Sequence, residues 1–90
     1  MRISYDSAKR ERTLAERDLD FEDAVAVFRG RSLDVLDDRH DYGEVRWATF
    51  GRFDGRLVVV VWTPRGGTRH IISMRKCNDR ERKIYDAHLD

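Results

Sequence analysis

The chain is poor in the residues that staple or stiffen small proteins. It has one cysteine and one proline in 90 residues. A single thiol, Cys77, closes no intramolecular disulfide, so a reducing compartment is permitted. Its expected part is to fill a gap rather than to react. Long hydrophobic runs are missing too. The longest, Leu57 to Trp62, has six residues, far too few to cross a bilayer. The opening stretch, Met1 to Arg10, turns polar at once and reads as no signal peptide. The expected compartment is the cytoplasm, with no membrane partner. Metal-ligand spacing is also absent. His40, His70 and His88 are dispersed, with no i, i+3 or i+4 pairing of the kind zinc sites use, so neither metal nor cofactor is expected. Gly66-Gly67 precedes no Lys-Ser/Thr and opens no helix, which excludes a phosphate loop. No nucleophile elbow surrounds Ser4, Ser7, Ser32 or Ser73.

What the chain has in quantity is charge, unevenly spread. The net charge is only +1. From Asp18 to Glu44, however, 9 acidic residues face 3 basic ones, and from Val45 to Tyr85 10 basic face 3 acidic. The later half therefore offers a basic surface of the sort that attracts polyanions.

The length suits one domain spanning residues 1–90, with a modest core. Its centre is Arg46 to Lys76, which reads as three consecutive antiparallel strands. Asp54-Gly55 between two runs of β-formers is a strong hairpin signal. Leu57 to Trp62 is apolar on both faces, as a central strand would be. Pro64 to Gly67 makes the second turn. Strict alternation in the next strand places Arg69, Ile71, Ser73 and Arg75 on one face and His70, Ile72, Met74 and Lys76 on the other.

Around this centre, Arg2 to Tyr5 reads as a short strand. Asp6 or Ser7 caps a helix from Ala8 to about Arg17, with Ala8, Leu14 and Ala15 inward. Asp20 caps a second helix whose stripe is Phe21, Ala24, Val25 and Phe28. Ser32 to Leu36 is a short strand. Asn78, with Glu81 at the N3 position, caps a last helix with Ile84, Tyr85 and Leu89 inward. The expected fold is α+β, an antiparallel sheet with helices in the order β-α-α-β-β-β-β-α.

The candidate site is a set of arginines. Guanidinium is permanently charged and forks onto phosphate oxygens. Arg65 and Arg75 are the expected catalytic cations, with Arg46 and Arg69 as RNA contacts and His40 as a further one from the loop. Glu44, two residues from Arg46, is placed beside it as the expected general base, with His40 and Tyr42 as other acid-base candidates. Lys9 is expected in a further cationic or proton-donating role. Such a set would cleave RNA by orienting its 2′-hydroxyl and stabilising charge at phosphorus.

Read together, these segments resemble the BrnT family of type II toxins. The resemblance rests on Tyr5-Asp6-Ser7-Ala8-Lys9, then Phe21-Glu22-Asp23-Ala24 with Val27-Phe28. It continues through His40, Glu44, Arg46 and Trp47, then Leu57 to Val60 with Thr63 and Arg65. Its last pieces are Arg69 to Arg75, Glu81-Arg82 and Tyr85. Thr13 and Glu16-Arg17-Asp18 depart from the family's Asn and Lys-His-Gly. The resemblance implies a RelE-like fold and a metal-independent endoribonuclease that cuts messenger RNA and slows translation. It implies neutralisation by a BrnA-like ribbon-helix-helix antitoxin, through which alone DNA would be contacted. Trp47, Trp62, Ile84 and Tyr85 would border an antitoxin groove if they are not core, and acidic Asp34 to Asp41 could meet a basic antitoxin. The alternative function is a non-catalytic module that only pairs with an antitoxin or nucleic acid.

Overall fold

The computed structural model describes residues 1–89. Local signals set the turns and caps. Asp54 and Gly55 both take positive φ (52° and 74°), as do Gly66 and Gly67 (54° and 80°), which is the backbone of a tight two-residue hairpin turn. Between and around these turns lie β3 (Trp47–Phe53), β4 (Arg56–Arg65) and β5 (Thr68–Lys76). Ahead of them run β1 (Arg2–Tyr5), α1 (Ser7–Arg17), a 3₁₀ turn (Phe21–Asp23), α2 (Ala24–Arg29) and β2 (Ser32–Leu36). The chain ends in α3 (Asp79–Leu89).

Side-chain caps start α1, the 3₁₀ turn and α3. Asp6 accepts from the backbone N–H of Ala8 and Lys9, and Asp20 accepts from that of Glu22. Asn78 and Glu81 exchange reciprocal bonds of 3.0 and 2.8 Å, a full capping box for α3.

The five strands form one sheet in the order β1-β5-β4-β3-β2. The β2 to β5 pairings are antiparallel, as expected, but β1 joins β5 in parallel, so the sheet is mixed. The long path through α1, α2, β2, β3 and β4 is what lets β1 return in that sense.

One face is sealed. Val58, Val60, Trp62, Ile71 and Met74 pack on Leu19, Phe21, Ala24, Val27 and Phe28. Burying side chains of this size contributes roughly 1.5–3 kcal/mol each. The helical layer sits close. A Cβ added to Gly51 would meet Val27 Cγ1 at 2.9 Å, so β3 needs glycine where α2 crosses it. The other face is covered only at one end, where α3 lays Tyr85 and Leu89 against Phe50, Leu57, Val59 and Cys77. The Tyr85 and Phe50 rings stack at 3.9 Å.

Two expectations about helix faces fail. On α1, Ala8, Leu14 and Ala15 are exposed, Leu14 by 44%. β1 pairs with β5 only as far as Ile71, and beyond it α1 runs beside the vacated edge. The helix is held there by polar contacts, Arg10 on Asp20 at 2.7 Å and Arg17 on the Met74 carbonyl at 3.2 Å. The second contact caps an otherwise open strand edge. On α3, Ile84 is 51% exposed, because Glu81, Tyr85 and Leu89, spaced four apart, form the face turned to the sheet.

A candidate RNA-cleaving face

The exposed end of the sheet is shaped by an irregularity in β5. Val61 pairs with Ser73, but the next residue of β4, Trp62, pairs with Ile71. Ile72 is therefore an extra residue, a β-bulge. Upstream of it the alternation is reversed. Arg69 joins Ile71 and Met74 on the covered face, and Arg75 lies with Val59 on the open one. The expectation that Arg69 and Arg75 share a face is thus corrected, and His70 turns outward instead. Arg69 stacks its guanidinium over Phe28 and Trp62, at 4.6 and 4.4 Å from the ring centroids.

The open face then carries a row of neighbours across three strands, Ser4 on β1, His70 on β5 and Thr63 on β4. Ser4 Oγ is 2.8 Å from His70 Nδ1. Thr63 is buried and donates to the Val45 carbonyl at 2.6 Å, which ties the loop before β3 to this row. Burial lowers the pKa of His70 below the ordinary 6.5. The Arg65 and Lys9 charges push the same way, while Glu44 and Asp6 oppose them.

The loop from Asp37 to Arg46 completes the surface. Glu44 reaches Arg46 at 3.3 Å and Arg65 at 3.4 Å, so one carboxylate spans two guanidinium groups. Arg46 lies over the Tyr42 ring at 3.8 Å, and His40 meets that ring edge-on at 5.7 Å. The backbone closes the loop where the Asp37 N–H donates to the Arg46 carbonyl.

At the α3 end, Arg75 is held by both oxygens of Glu81 at 2.7 and 2.8 Å. Arg39 is likewise forked onto buried Asp37 at 2.8 and 3.1 Å. These bonds, opposed by burial, hold the Glu81 and Asp37 carboxyls below their usual range. Both pairs line a groove of about 240 Å³ whose floor is Val35, Ala48, Val59 and Val61. Arg39 lies within electrostatic reach of Arg75, so the loop links the two cationic ends.

Of the sequence candidates, Arg46, Arg65, Glu44 and His40 come together directly or through Tyr42. Lys9, half-buried on α1, lies within electrostatic reach of His70. Arg75 stands at the far end of the same face, and Arg69 is on the other side of the sheet. Sequence reasoning missed His70 and Arg39. A signal for His70 exists, since adjacent Ile71 and Ile72 followed by Met74 break the alternation of an unbroken strand. Cys77 is buried, and burial pushes its thiol up to about 12, in keeping with a packing role.

A geometry of this kind can neutralise a phosphodiester with several guanidinium groups and set an imidazole beside it. A family model described as ribonuclease toxin, BrnT, of type II toxin-antitoxin system matches residues 5–81. That span includes Lys9, the whole 37–46 loop, Arg65, His70 and Arg75. No curated protein matches the chain.

Proposed function

The chain belongs to the BrnT family of ribonuclease toxins of type II toxin-antitoxin systems, and from that premise we propose that it cuts messenger RNA on the open face of its sheet. The observation that carries this reading is the contact chain Arg65–Glu44–Arg46–Tyr42 beside half-buried His70. The substrate supplies its own nucleophile, the 2′-hydroxyl, so no metal is called for. Attack on the neighbouring phosphorus builds negative charge on its oxygens, and Arg65 and Arg46 stabilise it. Glu44 aims both guanidinium groups, and Lys9 protonates the departing 5′-oxygen. Arg75 and Arg39 hold the RNA backbone further along the groove. Arg69, stacked on the covered side, is left out of this set.

Cutting of this sort halts translation and takes place in the cytoplasm. The partner is a BrnA-like antitoxin with a ribbon-helix-helix domain, which makes any DNA contact itself. Cleavage of a messenger transcript in EDTA, with end mapping, tests the reading. Arg65→Ala should slow it about 100-fold, equivalent to ~3 kcal/mol of barrier. Parent-like cutting by that variant would remove Arg65 from the site, and an inactive parent protein would remove the nuclease reading altogether.

A further inference from the structure

We propose that His70 is the general base of this face, taking the 2′-hydroxyl proton on Nε2 while Nδ1–H, donated to Ser4 Oγ, fixes the ring. The inference rests on the reading that the open face cuts RNA, and adds to it the group that starts the reaction.

Position is the first argument. The bulge at Ile72 is what brings His70 to the open face, between Ser4 and Thr63. Both neighbours are anchored, Ser4 within a strand ladder and Thr63 by its bond to the Val45 carbonyl. An imidazole pinned at Nδ1 keeps one orientation, and its other nitrogen is left to meet a ligand.

Charged groups also surround the His70 ring. The charged groups acting on it come from each element around it, Arg65 from β4, Lys9 from α1, Asp6 from the α1 cap and Glu44 from the loop. The cations Arg65 and Lys9 are where a phosphodiester would be drawn in. Partial burial and those cations keep the ring neutral at neutral pH, the form that accepts a proton. Glu44, the carboxylate expected from sequence, is instead shared between Arg46 and Arg65. Its lone pairs already face two guanidinium groups, so its geometry suits orienting them.

Nε2 of neutral His70 takes the proton of the 2′-hydroxyl, and the 2′-oxygen forms a bond to phosphorus. The bond from phosphorus to the 5′-oxygen breaks, and that oxygen receives a proton from the Lys9 ammonium. The products are a 2′,3′-cyclic phosphate and a 5′-hydroxyl, with an imidazolium and a neutral amine left on the protein. Proton exchange with water resets both.

The experiment compares parent, His70→Gln, His70→Asn, Ser4→Ala and Ser4→Thr proteins, each shown by thermal melting to be folded. Single-turnover cleavage in EDTA is followed against pH on an oligoribonucleotide spanning the cut mapped on a messenger transcript. The parent rate should rise about tenfold per pH unit on the acid side and level off below pH 6.5. Both His70 variants should be slower by about 100-fold or more, bind the same oligonucleotide within about threefold of the parent, and lose the acid-side rise. Ser4→Ala should shift that rise and Ser4→Thr restore it, which a merely structural serine would not do. Replacing the 5′-oxygen by sulfur, a leaving group that needs no proton, should not repair the His70 variants. Repair by sulfur would make His70 the acid and overturn the assignment. Parent-like rates in both His70 variants would overturn it while leaving the nuclease reading intact. A parent protein that cuts nothing would overturn both.

Discussion

The two faces of this sheet use the same strands for opposite ends. On the covered face Val58, Val60, Trp62, Ile71 and Met74 meet Phe21, Val27 and Phe28, almost without solvent. On the open face Ser4, His70, Thr63 and Arg65 meet one another and a charged loop. The first face lowers the free energy of folding by removing apolar area from water. The second gathers cations, Arg46, Arg65 and Lys9 on one side and Arg39 and Arg75 on the other, with the guanidinium groups held by Glu44, Asp37 and Glu81, an arrangement turned toward anion binding. Where stability and charge convergence separate this cleanly, variants should separate too.

The strongest way to break the comparison is to exchange the faces' effects. Phe21 is wholly buried, and Phe21→Ala should cost about 3–5 kcal/mol by denaturant melting, a large share of what a domain of this size has. Arg65→Ala, whose parent side chain is 55% exposed, should leave the melting curve nearly unmoved while the cleavage rate falls. A chain in which Arg65→Ala unfolds the protein, or Phe21→Ala leaves its stability unchanged, would dissolve the distinction.

Next in size is the place where the faces' roles mix. Glu81 both caps α3 and clamps Arg75. Glu81→Ala should cost about 2 kcal/mol, discounted because Arg75 is partly solvated, and should also weaken RNA binding. A stability loss with unchanged binding would confine Arg75 to a structural part.

The smallest effect is a two-stage dependence of melting temperature on pH. The pKa of His70 is lowered on folding, so its contribution is complete above 6.5 and is lost as pH falls through the folded value. Glu81, Asp37 and Asp20 also have lowered pKa values, so theirs is complete above the ordinary values of 4.5 and 3.8 and is lost further down. Asp23, raised chiefly by burial, acts in the opposite sense and blunts the second stage. His70→Gln should abolish the first stage and spare the second. Melting curves at closely spaced pH values would show it.

The sequence was most legible where the signal is local. Asp54-Gly55, the Asp6 and Asp20 caps and the Asn78–Glu81 box need only a few neighbouring residues to declare themselves, and each is found where expected. The contact of Glu44 with Arg46 was likewise readable from spacing, although β3 begins only at Trp47. Pairing was harder. The parallel return of β1 and the extra residue in β5 depend on partners far away in the chain, which alternation within one strand does not encode. That is why Arg69 was put on the wrong side and His70 passed over. The exposed stripe of α1 misled for a related reason. Alanine and leucine at helical spacing suggest burial, yet a helix running beside a strand edge can be secured by Arg10 and Arg17 instead.

The bulge at Ile72 also acts as a ruler. Positions 70 and 75 are five apart, an odd interval that a flat ladder would send to opposite sides. One inserted residue makes them cohabit, and the same insertion sends Arg69 inward to lie over two aromatic rings. Excising Ile72 would therefore keep the phase, because 70 and 75 would then stand four apart with both still outside. Flattening the strand with Ile72 retained would instead rephase everything before it, taking the imidazole indoors and leaving a guanidinium outside in its stead.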